Sequence, residues 1–117
     1  MDNQHRKIAG YRELGQEEVD LMNRIKAKGA ELLQLHAELA GRIDTDRETK
    51  LHAARRSVAD KEYNGVPYNE HTGASEECQE YRRFMTAEPL RWASIAKTDV
   101  QTGLMAMVRA VAQPAGV

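Results

Sequence analysis

Cysteine, proline and aromatic residues are all scarce in this 117-residue chain, which holds one cysteine, three prolines and an aromatic content of 5%. A lone Cys78 excludes an intrachain disulfide, so nothing covalent staples the fold. With so few aromatics and a mean hydropathy of -0.68, little bulk is available for an interior. A monomer of this length would bury only about two-thirds of its unfolded surface, so the core should be modest and association between copies should supply further burial. An excess of one charge is missing as well. The formal net charge of -1 excludes a protein that coats polymeric nucleic acid through bulk electrostatics, and any anion site must be local. No run approaches the ~20 apolar residues of a membrane-spanning helix, and the first residues are polar where a secretory signal needs an apolar stretch. A soluble, cytoplasmic protein is expected on these grounds.

Catalytic constellations are absent too. The four histidines, His5, His36, His52 and His71, include no pair three or four residues apart, so no metal site is expected. Nothing resembles a nucleophile beside its base or a glycine loop that cradles phosphate. Cys78 stands among Glu76, Glu77 and Glu80, whose negative charge opposes thiolate formation. The chain is therefore expected to be neither an enzyme nor the carrier of a cofactor.

What is present is helical periodicity. Residues 3–11 can make two turns of helix, with Gly10 as terminator. From Gln16 the apolar positions Val19, Met22, Ile25, Leu32, Leu35 or His36, Leu39 and Ile43 recur at steps near three and four, and Glu17, Glu18 and Asp20 favour the positive end of that helix's dipole. Thr45-Asp46-Arg47-Glu48 fits a capping box, which predicts a new or bent helix running to Glu62. Residues 64–73 gather turn formers and read as a hairpin tip. Ser75 can cap a short helix carrying Tyr81, Phe84 and Met85, and Pro89 suits the first turn of a last helix that reaches about Ala112, before Pro114. No alternating strand pattern of useful length occurs. The fold class expected is all-α: one domain over residues 1–117, an elongated antiparallel helical hairpin with a short N-terminal helix. Leu104-Met105-Ala106-Met107-Val108 and Val111 are apolar around most of a helix circumference, which predicts a helical homo-oligomer.

Cations without an acid three or four residues away are the freest to serve a ligand. Arg24 has Asp20 and Lys28 has Glu31, whereas Lys26 is flanked at those spacings by Met22, Asn23, Gly29 and Ala30. A solvated surface lysine is the commoner reading of such a position. Tyr11, after Gly10, could stack on a base, an interaction worth roughly 1–3 kcal/mol, or could pin the short helix to the long one. Arg91, Ser94, Thr98 and Gln101 form a polar stripe, opposite Trp92 and Ile95, that suits phosphate oxygens, base edges or an interhelical contact equally.

Three blocks carry a resemblance: Asn3-Gln4-His5-Arg6-Lys7-Ile8 with Gly10-Tyr11-Arg12; Leu21-Met22-Asn23-Arg24-Ile25-Lys26; and Arg91-Trp92-Ala93-Ser94-Ile95-Ala96 with Val108-Arg109-Ala110-Val111-Ala112-Gln113-Pro114. In them the chain resembles the anti-CBASS protein 2 family, phage-encoded inhibitors of cyclic-oligonucleotide-based antiphage signalling (CBASS) whose hairpin domain is shared with a Thoeris anti-defence protein. The resemblance implies a helical hexamer that acts in the infected bacterial cell. Such a hexamer sequesters cyclic dinucleotides such as cyclic GMP-AMP, and in some members cyclic trinucleotides at separate sites, without cleaving them. It carries the tyrosine and lysine that grip the dinucleotide onto Tyr11 and Lys26, and contacts from the last helix onto Arg91, Ser94 and Thr98. Two other classes stay open: a helical module that binds a protein partner through its apolar last helix, and a cyclic-nucleotide phosphodiesterase.

Overall fold

The computed structural model describes residues 12–115, so the expected helix over residues 3–11, and Tyr11 with it, lies outside the described residues. The elements in order are α1 (Gln16–Ser57), β1 (Glu62–Tyr63), β2 (Val66–Pro67), α2 (Glu76–Ala87) and α3 (Pro89–Ala112). The chain is mostly helical with two long helices, as expected, and a small antiparallel ribbon is added to them. The described residues form two compact units, one of residues 12–35 together with 96–115, the other of His36–Ile95.

Helix α1 opens with Glu17 and Glu18 and closes with Arg55 and Arg56, charges that complement its dipole at both ends. The expected break at Thr45 does not occur. The Thr45 hydroxyl donates to the Gly41 carbonyl at 3.0 Å, a bond back by one turn that leaves the helix intact, so the capping-box reading is corrected. The helix also ends at Ser57, short of Glu62. There the Ser57 hydroxyl donates to the Ala54 carbonyl at 2.7 Å, and Asp60 takes a left-handed φ of 65° that no continuing helix allows. Asn64 (φ 51°) and Gly65 (φ 79°) then supply the paired positive φ angles of a tight hairpin turn. That turn pairs Glu62 with Pro67 and Tyr63 with Val66.

Asn69 organises the next loop, its side-chain oxygen accepting from the His71 and Thr72 amides at 2.8 and 3.1 Å. Ser75 caps α2 as expected, its hydroxyl accepting from the Cys78 amide at 3.0 Å. Glu88, with φ 52°, ends α2 because the residue before a proline is driven out of the right-handed helical region, and Pro89 starts α3 at the position proline tolerates best.

The core of the second unit joins Ala54 and Val58 of the end of α1 to Cys78 and Tyr81 of α2, with Leu51 packed against them. Cys78 is fully buried, and its thiol lies 3.5 Å from the Ala54 carbonyl oxygen. Lys50 and Arg83 both hold Glu80, whose carboxyl is pulled down to about 2 by hydrogen bonds from Arg83 first and Lys50 second. His36, and not Leu35, takes the inner position on α1, its Nε2 lying 2.6 Å from the Ala93 carbonyl oxygen.

Candidate functional cleft

In the first unit the start of α1 runs antiparallel to the end of α3. The contact is close because Gly29 is buried against Leu104: a Cβ at Gly29 would lie 2.6 Å from Leu104 Cδ1 and 2.9 Å from Cδ2. Two helices meeting over a glycine leave their larger side chains splayed to either side, and a cleft of about 570 Å³ opens on one flank. Its floor is Ile25, Gly29 and Leu33 of α1 with Leu104 and Val108 of α3, and its end is closed by Ala112 and Pro114. Lys26 stands on the α1 wall and Arg109 on the α3 wall, and among the described residues no acid lines the cleft. That volume falls within the range of small-molecule sites, and an apolar floor with a few placed charges is their usual lining.

Arg12 fastens the end of the cleft. Its Nε donates to the Ala112 carbonyl at 3.1 Å and its Nη2 to the Val111 carbonyl at 2.8 Å, satisfying acceptors that the end of α3 leaves unpaired. The same guanidinium pairs with Glu18, which also accepts from the Gly15 amide at 3.1 Å in the first turn of α1. The hydrogen bond from Arg12, reinforced by that from Gly15, holds the Glu18 carboxyl below the usual carboxylate range. One side chain thus places a cation at the negative end of α3 and steadies an anion at the positive end of α1.

The residues singled out from the sequence divide. Tyr11 lies outside the described residues. Lys26 is exposed on the cleft wall, and among the described residues it has no ion pair. Lys28 pairs with Glu31 at 3.6 Å as expected, while Asp20 accepts from Gln16 Nε2 at 2.8 Å and makes no ion pair with Arg24. Arg91, Ser94 and Thr98 are exposed, and none of them lines the cleft. Arg91 pairs with Glu88 at 3.0 Å and sits 5.6 Å over the Trp92 ring. Trp92 is 59% exposed, and Ala93 holds the buried position at that level of α3. Arg109 was not among the candidates. The rule that singled out Lys26 would have found it, because Met105, Ala106, Ala112 and Gln113 leave it no acid at helical spacing.

Comparison with known proteins completes the description. The family model for the hairpin domain of Acb2/Tad1 matches residues 4–112. Anti-CBASS protein 2 of Pseudomonas phage JBD67 is 62% identical over 116 residues, which cover 99% of this chain and 99% of that protein.

Proposed function

The chain belongs to the Acb2/Tad1 hairpin-domain family, and from that premise we propose that it is a sponge for cyclic dinucleotides such as cyclic GMP-AMP. It binds them without cleavage and so lowers the signal on which CBASS depends, inside the infected bacterial cell. The observation that carries this reading is the apolar cleft of about 570 Å³ with Lys26 on its wall and, among the described residues, no acid in its lining. Bases lie against the apolar floor, phosphate meets the ammonium, and Tyr11 stacks on a base, a contact worth roughly 1–3 kcal/mol. Capture of a messenger calls for affinity and copies rather than transition-state stabilisation, so the reading asks for no catalytic group. Arg91, Ser94 and Thr98 are not in the lining of this cleft, and they are proposed to add ligand contacts from the last helix.

The working form proposed is a homohexamer. The exposed Leu21, Leu32 and Met107, at 43%, 45% and 52%, lie along a second apolar groove of the first unit that a further copy would cover. The same exposure supports a second reading, a module that docks a protein partner on its last helix.

Calorimetry with cyclic GMP-AMP tests the sponge. Binding is expected for the unmodified protein, with a loss of about tenfold or more in both Tyr11→Ala and Lys26→Ala. Heat denaturation should then release the ligand intact. Absence of binding, or linear product in the released pool, refutes the proposal.

A further inference from the structure

The cleft carries a second cation beside Lys26. Gly29 is level with Leu104, so Lys26 lies three residues back along α1 and Arg109 five residues on along α3. With a rise of about 1.5 Å per residue, the two sit within about 3 Å of each other along the helix axes, on opposite walls. Both are exposed, and among the described residues neither has an ion pair. A cation near the end of a helix is favoured by the dipole whatever it faces, but that alone would not set it across an apolar, acid-free cleft from a second cation.

We infer that Arg109 is the second phosphate-binding residue of this cleft, and that the Lys26–Arg109 pair selects cyclic dinucleotides, with two phosphodiesters, over cyclic mononucleotides, with one. The inference rests on the sponge reading above. Two phosphodiesters on opposite sides of one ring present two negative charges facing apart, and a cleft with a cation on each wall meets both. The planar guanidinium can hold two oxygens of one phosphate, while the ammonium meets the other as a point charge. A cyclic mononucleotide can satisfy only one wall and leaves the other cation without an anion.

The test is a set of affinities for cyclic GMP-AMP and for cyclic AMP, measured with the full chain carrying Arg109→Ala, Arg109→Gln, Arg109→Lys or Lys26→Ala. Arg109→Ala and Arg109→Gln should each lose about 10-fold to 100-fold for cyclic GMP-AMP. Their affinity for cyclic AMP should change by less than about threefold, and Arg109→Lys should recover part of the loss by restoring the charge. Unchanged cyclic GMP-AMP affinity in Arg109→Ala, with a clear loss in Lys26→Ala, overturns this inference and leaves the sponge reading standing. Equal losses for both ligands also overturn it, because the pair would then confer no selectivity. If the unmodified chain binds neither ligand, both readings fall.

Discussion

Gly73→Ala adds a single methyl group at a place where nothing can move aside. A Cβ there would lie 2.6 Å from Cys78 Sγ, 2.7 Å from Val58 Cγ1 and 3.2 Å from the Asn69 carbonyl oxygen. Cys78 is fully buried, and Val58 is 5% exposed and stiff at χ1. The Asn69 carbonyl is backbone, accepting hydrogen bonds from the Gly73 amide at 2.9 Å and the Thr72 amide at 3.2 Å. Overpacking of this kind costs about 1–3 kcal/mol, and the reduced freedom of the unfolded chain returns about 0.4–1 kcal/mol. The net loss should be about 1–2 kcal/mol, which lowers Tm by about 4–8 °C for a chain of this length. Gly41→Ala makes the same chemical change in the middle of exposed α1, where no atom lies within 4 Å of the new methyl. Helix propensity alone should then raise Tm by about 4 °C. Thermal melts followed by circular dichroism, at one protein concentration because assembly makes Tm concentration-dependent, should separate the two variants in opposite directions. A Gly73→Ala protein that melts at or above the unmodified one refutes the packing argument.

Three further outcomes follow from the same geometry. Ser75→Ala removes the cap of α2 and the 2.6 Å contact with the Ser57 hydroxyl, and should cost about 1 kcal/mol in urea unfolding; no change in midpoint would show that the cap is dispensable. Glu80, whose carboxyl titrates at about 2 when folded, contributes stability that is complete above its ordinary value of 4.5 and is lost as pH falls toward 2. The difference in Tm between the unmodified chain and Glu80→Gln should therefore shrink over that range, and a difference that stays constant from pH 7 to 2 contradicts the ion-pair account. Gly29→Ala meets only the far end of the Leu104 side chain, which can change rotamer for about 0.5–1.5 kcal/mol, close to the helix-propensity gain of about 1 kcal/mol. Tm should stay within about 4 °C while cyclic dinucleotide affinity falls because Leu104 is displaced; a collapse in Tm would show the helix contact to be rigid.

Signals carried within one turn were legible. Ser75, Pro89, the end of α3 at Ala112 and the Lys28–Glu31 pair all depend on residues at most four apart, and the structure places each as its local chemistry directs. Where two local outcomes satisfy the same groups, the sequence could not choose. The Thr45 hydroxyl can cap a new helix or bond back to Gly41, and two-residue strands are too short for alternation to show. The inner face of α1 was legible only in part: Leu32 falls on the helical period yet is 45% exposed, and of the alternatives Leu35 and His36 it is His36 that faces inward while Leu35 is 59% exposed. The Arg12 clamp joins residues about a hundred apart in sequence and leaves no local trace at all.

The local nature of charge in the first unit explains why composition said so little about a ligand. A net charge of -1 averages over cations that are already paired: Arg12 with Glu18, Lys28 with Glu31, Arg55 with Glu70, and Lys50 and Arg83 sharing the single carboxylate of Glu80. An exposed pair of that kind adds little stability, but each one removes a charge that would otherwise draw anions elsewhere on the surface. Lys26 and Arg109 stand beside an apolar floor, and among the described residues no acid joins them in that lining. A small dianion therefore meets two cations at this cleft, where low-polarity walls also weaken the screening that water would provide. Nearly balanced overall charge and a cationic cleft are thus compatible in one short chain, because the balance is a sum over the whole sequence whereas the lining of the cleft, among the described residues, holds two cations and no acid.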